Sequence, residues 1–336
     1  MIRPKVIIIG GIFLLGQLIL LNSCTEDIDL FTTGEKIPIV YALLDPDHDT
    51  QFIRVGESFQ YWGEKNALNE PQLTHLQEDF EVYISHRDEN GINQITRFEP
   101  YTGAIRDSGL FHSDELQLLS AELSIELNKQ YKLYLYLKES EKVVYGELKS
   151  FARKFNVIDP LPVAFRTINL FTNEDFYFRF DPVAERAVYQ SGLSLNYTEY
   201  LNGERQEKSI EFPLDISYGD ETDKVFVETR FSGEYFLREI GRRLKAVDGI
   251  SRMPTSFNFW MSAGGEEMFY LIRSAKNQLD FSVQSVSNLD NGIGIFSTLS
   301  HRSISNLPLS RYTADSLAMS PYTSHLGFIP YSKPDQ

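Results

Sequence analysis

Two groups of closely spaced carboxylates are the first residues in this sequence that could do chemistry, because alternating acids can bring several oxygens onto one calcium ion. In the first group, Asp45, Asp47 and Asp49 alternate along a turn. Thr50 stands where a calcium loop needs the glycine of its sharp turn, and Gly56 stands where it needs a bidentate glutamate. A solvated hairpin turn is therefore favoured, with calcium as the alternative. The second group leaves the same choice, with a solvated loop again favoured; it comprises Asp215, Asp220, Glu221 and Asp223.

The histidines and serines do not indicate an active site. No two histidines have the i, i+4 spacing of a helical metal motif or the two-residue spacing of ligands on one strand. His112-Ser113-Asp114 contains the residue types of a catalytic triad, but neighbours in sequence do not have the geometry of a triad. We therefore predict a protein without catalytic activity, cofactor or metal. Hydrolysis of glycans by paired carboxylates is the less favoured alternative, since such a pair cannot be found from sequence positions.

The single cysteine lies at the end of an apolar segment. Arg3 and Lys5 precede an apolar run over residues 6–21, which is shorter than the roughly 20 residues that a spanning helix needs. The run ends in Leu21-Asn22-Ser23-Cys24, which resembles a bacterial lipobox. The resemblance implies cleavage of a signal peptide, residues 1–23, and a diacylglycerol thioether on Cys24. An uncleaved membrane anchor or a simple secretory signal is the alternative.

Acidic residues follow this cysteine directly, at Glu26, Asp27 and Asp29. They resemble the surface-export signal of Bacteroidota lipoproteins, which implies a lipid-anchored protein on the outer leaflet of the outer membrane. Acids that merely solvate a tether are the alternative. Residues 24–36 would form this tether, and several acyl chains together give a stable anchor.

Length and charge narrow the class of protein. A chain of 336 residues predicts about two domains. A net charge of −15 excludes nucleic acid as an expected partner, because phosphates would repel it. One cysteine excludes an internal disulfide framework.

The rest of the chain is typical of an all-β protein. Residues 80–86 and 131–137 alternate apolar and polar side chains with period two, and turns separate six or seven such strands before residue 154. This pattern predicts an immunoglobulin-like β-sandwich over residues 37–154. Pro160 and Pro162 lie close to the expected boundary.

A second β-sandwich-like domain, with one or two inserted helices, is predicted over residues 155–312. Asn202-Gly203 between two strand patterns predicts a hairpin, and residues 288–292 predict another. A helix is predicted near residues 233–247, where Phe236, Ile240 and Leu244 share one stripe, and a short one near 265–275. The Ser/Pro/Thr-rich residues 313–336 predict an irregular tail.

Three surface features could bind or be modified. Tyr61 and Trp62 could form a platform for a sugar ring or a protein partner, although a small cluster under a loop is the favoured alternative. Ser316 lies in a short O-glycosylation-like sequon of Bacteroidota proteins. A basic group could meet an acidic partner or lipopolysaccharide phosphates, with an ordinary polar helix face as the favoured alternative; it comprises Arg238, Arg242, Arg243 and Lys245.

Several segments together resemble an uncharacterised Bacteroidota outer-membrane lipoprotein family with two β-rich domains. They are the lipobox at Cys24, the apolar residues 37–44 with the following acidic turn, Gln51-Phe52-Ile53-Arg54-Val55, and the Asn-Gly-Ile-Gly-Ile-Phe segment at residues 291–296. The resemblance covers about residues 24–305. It implies a cell-envelope lipoprotein that works beside a TonB-dependent transporter, and it implies no catalytic residues.

The sequence therefore predicts a non-catalytic, surface-exposed binding or accessory module of the outer membrane. Its expected partners are the membrane, through the lipid anchor, a larger outer-membrane protein, and a glycan or other extracellular ligand. A structural subunit of an envelope assembly is the alternative.

Overall fold

Most of the described chain is β-strand, as the alternating sequence predicts. The computed structural model describes residues 36–58, 75–76, 78–102, 117–159, 167–170, 174–219, 225–277 and 287–331. Its strands are β1 Pro38–Leu44, β2 Thr50–Glu57, β3 Phe80–Arg87, β4 Asn93–Tyr101, β5 Leu118–Glu122, β6 Gln130–Leu137, β7 Val143–Lys149, β8 Val157–Asp159, β9 Asp175–Phe180, β10 Ala187–Leu201, β11 Glu204–Pro213, β12 Ser217–Gly219, β13 Val227–Ser232, β14 Ser251–Gly264, β15 Leu289–Asp290 and β16 Ile293–Pro308. Its helices are α1 Gly233–Arg243, α2 Glu266–Asn277, α3 Arg311–Met319 and a short 3-10 helix, Ser324–Leu326.

Thirteen of these strands form one large sheet. Their order is β11-β10-β14-β16-β1-β2-β5-β4-β3-β6-β7-β15, and β12 pairs with β10 at its side. The remaining strands form a small sheet in the order β13-β9-β8. β1 and β16 are parallel, whereas the strands next to them run antiparallel.

The strands between residues 38 and 149 enclose one hydrophobic core from two sides. Alternate residues of β1 and β2, such as Val40 and Ile53, are buried in the same cluster as Val82, Leu133 and Val144 of β3, β6 and β7. β4 pairs with β5 of one layer and with β3 of the other. Two layers around one core are a β-sandwich, so the predicted all-β, sandwich-like fold class is confirmed.

A buried tyrosine near the start of β6 strengthens this sandwich. The Tyr131 hydroxyl accepts a hydrogen bond of 2.8 Å from the backbone N–H of Glu126, five residues earlier. A tyrosine bonded to the backbone just upstream is a tyrosine corner, a hallmark of immunoglobulin-like sandwiches. Tyr189, near the start of β10, accepts a 3.0 Å bond from the N–H of Val183 in the same way. Burial raises the pKa of both phenols to about 12.

A second hydrophobic core lies between β10 and β14 on one side and the small sheet with α1 on the other. The ring of Phe259 on β14 lies 5.2 Å from Phe178 on β9, and Phe257 lies 5.5 Å from Phe236 on α1. This core also contains Leu307 of β16, whereas Phe296 of the same strand belongs to the first core. The division into domains at residues 37–154 and 155–312 stays a prediction.

The strand β16 connects the two cores. Its first residues pair with β1, from Ile39 with Ile293 to Leu44 with Thr298, and its later residues pair with β14. The two backbones come very close at Gly294, where a Cβ atom would lie 1.9 Å from the carbonyl oxygen of Val40. Glycine is the residue that fits, since its φ of +132° is also unfavourable for other residues.

The two helices predicted inside the second domain are present. The Ser232 hydroxyl caps α1 by accepting a 3.1 Å bond from the N–H of Tyr235, and Phe236, Leu237 and Ile240 are buried. This helix ends at Arg243, before the predicted residue 247, because Leu244 is extended. None of the helices in the described ranges is both long and apolar enough to cross a membrane.

Two other expectations differ from the structure. Residues 313–336 are not an irregular tail as far as the structure describes them, since they include most of α3, which buries Leu317 and is capped by the Ser310 hydroxyl, an acceptor for the N–H of Thr313. Within the predicted hairpin turn 288–292, Leu289 and Asp290 instead form β15, which pairs with β7, and the strand predicted before this turn lies mostly outside the described residues. By contrast, Asn202 and Gly203 form the predicted hairpin turn with φ of 54° and 85°.

Replacing Gly294 by alanine should strongly destabilise the fold. The new methyl group would collide with the Val40 carbonyl and force β1 and β16 apart, so we expect a loss of about 3 kcal/mol or more, measured by urea unfolding. Gly203→Ala is the matched control, because its Cβ would have no atom within 4 Å. The control should lose only the roughly 1–2 kcal/mol of an unfavourable backbone conformation. Equal losses would contradict a close approach at Gly294.

Candidate functional site

Four tyrosines lie on the outer face of the layer formed by β3, β4, β6 and β7. Leu133 and Leu135 of β6 are buried, so the alternating Tyr134 and Tyr136 point to the opposite face. Strand register then places Tyr83 of β3 and Tyr145 of β7 on either side of Tyr134. We call these four residues the tyrosine face.

The four rings form one continuous aromatic surface. Ring centroids are 5.2 Å apart between Tyr134 and Tyr145, 6.1 Å between Tyr134 and Tyr136, and 5.8 Å between Tyr83 and Tyr136. Such spacing is typical of aromatic pairs that stabilise each other. Tyr136 is the most exposed of the four, with 43% of its surface open to solvent.

Acidic neighbours hold two of the phenols. Tyr83 donates a 2.5 Å hydrogen bond to Glu81, which also contacts Lys138 at 3.1 Å. Tyr145 donates to Glu147, whose carboxylate contacts Lys132 at 2.8 Å. Hydrogen bonds from Tyr83 and then Lys138 lower the pKa of Glu81, and those from Lys132 and then Tyr145 lower the pKa of Glu147. Both carboxylates are therefore anionic at neutral pH.

The other two phenols are open. Within the described part of the chain, the hydroxyls of Tyr134 and Tyr136 make no hydrogen bond. Together with Ile95, they line a groove of about 520 Å³, which we call the tyrosine groove. The groove thus offers an apolar ring surface with two hydroxyls that can donate to or accept from a ligand.

A second groove continues from the first. Its volume is about 900 Å³, and it shares Ser85, Asn93 and Tyr134 with the tyrosine groove. We call it the basic groove, because its lining includes Arg87, Lys129, Lys132 and Lys149. Its lining also includes His86, whose buried Nδ1 has no hydrogen-bond partner in the described structure.

The acidic turn at Asp45 has structural partners for each of its carboxylates. Asp45 accepts hydrogen bonds from the N–H of Asp47 at 2.9 Å and interacts with His48 at 2.8 Å. Asp47 accepts from Ser300 and Arg302 of β16. These bonds favour the turn interpretation over calcium. Three or more metal-binding side chains do not gather anywhere in the described ranges.

The second acidic group and several candidate residues fall mostly outside the described residues. Asp215 is described and exposed, whereas Asp220, Glu221 and Asp223 are not described. Cys24, the acids of the export signal at Glu26, Asp27 and Asp29, and the platform of Tyr61 and Trp62 also lie outside the described residues.

The predicted basic group is spread along α1 and just beyond it. Arg242 and Arg243 both contact Glu239, at 2.8 and 3.3 Å, and Arg243 also lies over the ring of Phe212. Arg238 lies over Tyr235 on the same helix, and Lys245 follows the helix. Two of the four charges thus have an ion-pair partner and a third lies over an aromatic ring, as on an ordinary polar helix face. Ser316 lies half-buried within α3.

Sequence reasoning missed the tyrosine face. The signal was present, because period two places Tyr83, Tyr134, Tyr136 and Tyr145 on the polar side of their strands. What it could not show is that β3, β6 and β7 are neighbours. Comparison with known proteins adds no residue assignment, since no family model and no curated protein matches the chain.

Replacing Asp47 by asparagine should lower stability and weaken its dependence on acid. Burial raises the pKa of Asp47, but hydrogen bonds from Arg302 and Ser300 outweigh it and hold the pKa below its usual value. Such a carboxylate contributes stability above its unfolded pKa of about 3.9 and loses it as pH falls through the lower folded value. We expect a loss of about 1–3 kcal/mol in Asp47→Asn at pH 7 that shrinks below pH ~4, measured by urea unfolding.

Asp49→Asn is the matched control, because it removes the same charge from the same turn and only a 2.7 Å bond from Ser124. It should cost less stability at pH 7 than Asp47→Asn, because it breaks no contact with an arginine. An Asp47→Asn variant with an unchanged pH profile would show that the Asp47–Arg302 contact does not couple to folding.

Proposed function

We propose that this protein is a non-catalytic binding module of the bacterial cell envelope that holds an extended glycan on its tyrosine face. It would be anchored by lipid at Cys24 on the outer membrane, facing the cell surface, and would act as an accessory beside a larger membrane protein such as a TonB-dependent transporter. The observation that carries the binding role is the continuous surface of four tyrosine rings beside an open groove.

The tyrosine face suits a flat, partly apolar ligand. Tyrosines provide large contact areas at a low cost in conformational entropy. Here the sheet holds the rings, and Glu81 and Glu147 hold two of the phenols. The side chains therefore lose little conformational freedom when a ligand binds. A sugar ring can lay its C–H face on a phenol while its hydroxyls bond to the free oxygens of Tyr134 and Tyr136.

An extended peptide fits less well. Peptides that bind to sheets usually add a strand at an exposed edge, where backbone groups are free. β3 and β6, which carry Tyr83, Tyr134 and Tyr136, each have a neighbour on both sides. The face therefore offers side chains and no backbone ladder, which favours a glycan.

The carboxylates of the face favour binding over hydrolysis. A glycoside hydrolase needs one carboxylic acid whose raised pKa keeps it protonated. Glu81 and Glu147 both have lowered pKa values. Burial raises the pKa of Glu267, but this residue bonds to Ser297 on β16 and does not line either groove.

The anchor and the family are supported by the sequence alone. The lipobox-like segment ends at Cys24, and residues 25–36 could extend about 40 Å at most, which would hold the sandwich away from the lipid headgroups. We propose that the chain belongs to the Bacteroidota lipoprotein family that it resembles, with Glu26, Asp27 and Asp29 as the export signal.

A second candidate function is a structural subunit of an envelope assembly. Tyr41 and Phe52 are 45% and 40% exposed on the outer face of the other sandwich layer. Tyr101, at the end of β4 that pairs with β5, is 43% exposed, and its ring lies 5.2 Å from that of Phe52. Exposed aromatic groups of this kind are common where proteins associate.

The lipid anchor is tested by Cys24→Ala. The parent protein should lose residues 1–23, carry lipid on its N-terminal peptide and fractionate with the outer membrane, from which mild detergent should extract it together with a larger membrane protein. The variant should carry no lipid and be absent from that fraction.

Ser23→Ala is the control for this experiment, because it keeps a small residue before the cysteine and should be processed normally. Equal amounts of Cys24→Ala and parent protein in the outer membrane would contradict lipid anchoring. Extraction of the protein alone, combined with tight glycan binding, would contradict the accessory role and leave the binding role.

Ligand binding is tested by Tyr136→Ala on a panel of neutral and acidic oligosaccharides. Truncating a central aromatic contact should lower the affinity for the best ligand by about tenfold or more, measured by calorimetry. Tyr41→Ala is the matched control, since Tyr41 is 45% exposed and lies on the opposite layer. The glycan-binding proposal fails if no oligosaccharide binds, or if both variants bind the best oligosaccharide with the same affinity as the parent protein.

A further inference from the structure

We infer that the glycan held by the tyrosine face is anionic, with its carboxylate or sulfate groups seated in the basic groove. This inference rests on the proposed function and names the class of ligand. It follows from the continuity of the two grooves and from the charges on the second.

The two grooves form one path across the sheet. Ser85 and Asn93 line both, and so does Tyr134, whose ring is central to the tyrosine face. A ligand that stacks on Tyr134 and extends along this path therefore passes from an aromatic surface to a basic one. A chain of sugar units is long enough to meet both.

Two cations of the basic groove are available to a ligand. Arg87 at the end of β3 and Lys149 at the end of β7 are exposed, and neither makes an ion pair within the ranges that the structure describes. Lys129 and Lys132 have carboxylate partners, Glu126 at 3.1 Å and Glu147 at 2.8 Å. Arg87 is the last residue of β3, the strand of Tyr83, and Lys149 is the last residue of β7, the strand of Tyr145.

This concentration of positive charge departs from the rest of the protein. The chain has 47 acidic and 32 basic residues, and other cations of the described structure often lie beside acids, as Arg242 and Arg243 lie beside Glu239. Among the described residues, the lining of the basic groove contains four cations and no Asp or Glu, and Glu126 and Glu147 outside the lining contact only two of these cations. A local positive field in an acidic protein attracts anions and gives charge complementarity to an acidic glycan.

The remaining groups in the basic groove are polar donors and acceptors. Asn93, Asn128 and Gln130 line it with amides. Amides can bond to sugar hydroxyls as well as to a charged group. The groove thus suits a ligand with both hydrogen-bonding groups and negative charge, as an acidic sugar has.

The test compares an oligogalacturonate with its methyl ester of equal length, using the full-length protein in mild detergent. The ester keeps the sugar backbone and removes the charge. We expect the oligogalacturonate to bind at least tenfold more tightly than the ester, and its affinity to fall when salt is raised from 50 to 500 mM, as screening requires.

Arg87→Gln and Lys149→Gln locate the charge contact. Each substitution should lower the affinity for the oligogalacturonate by about two- to fivefold, as expected for an exposed ion pair, and should leave the affinity for the ester unchanged. Tyr136→Ala should weaken both probes. Lys245→Gln is the matched control, because it removes one exposed lysine charge outside the groove and should leave both affinities unchanged.

Each outcome decides between the ligands. Equal affinity for the two probes, or equal losses in Lys149→Gln and Lys245→Gln, would overturn the anionic assignment and leave the glycan-binding proposal standing. If poly-L-glutamate binds as tightly as the oligogalacturonate and loses affinity in Lys149→Gln, the ligand of the basic groove is an acidic peptide and not a glycan. Absence of binding by both sugars at millimolar concentration would overturn this inference and, if the neutral panel also fails, the proposed function.

Discussion

The parallel pairing of β1 with β16 is the contact on which the rest of the structure depends. It joins the first described strand to the last, and at its end Asp47 bonds to Arg302, 255 residues later in the chain. Closing so long a loop is entropically costly, and the burial of side chains from β16 in both cores offsets this cost. β16 supplies Phe296 to the first core and Leu307 to the second. Loss of this strand would therefore remove packing from both.

The buried charged side chains of Arg252 and Glu199 are paired with groups of opposite charge or with backbone carbonyls. Arg252 is almost fully buried, and its guanidinium donates to Glu199 at 3.0 Å and to the backbone carbonyls of Leu326 and Lys245. Lys208 bonds to the other oxygen of Glu199, so the pKa of this carboxyl is lowered although burial alone would raise it. A buried ion must be paired in this way, because desolvation is costly. Arg87 and Lys149 have no such pairing with any residue that the structure describes, which separates the basic groove from the structural ion pairs.

Local patterns predict the strands and turns of this chain, but they do not predict which strands meet. Period two places Leu133 inside and Tyr134 outside, and the Asn202-Gly203 turn follows from backbone preferences alone. The pairing of β15 with β7, instead of with β16, depends on packing between residues that are far apart in sequence. For the same reason, the tyrosine face cannot be seen in the sequence, since its rings come from three strands. The helix α3 was missed because Ser310 and Thr313, which suggest a loop, serve as its cap and as a buried contact.

The outer face of a sandwich layer can carry the tyrosines because folding does not require that face to be apolar. Only the inner face of each layer must be apolar for folding, so the outer face can carry other side chains at little cost in stability. Tyr83 and Tyr145 give their hydroxyls to Glu81 and Glu147, which fixes the two outer rings of the row. Tyr134 lies between them and is supported by ring contacts alone, with its hydroxyl unused among the described residues. A surface that needed four tyrosines only for packing would have no reason to hold two phenols and leave the central one open. The division between held and open hydroxyls therefore favours Tyr134 and Tyr136 as the residues that would meet the proposed ligand.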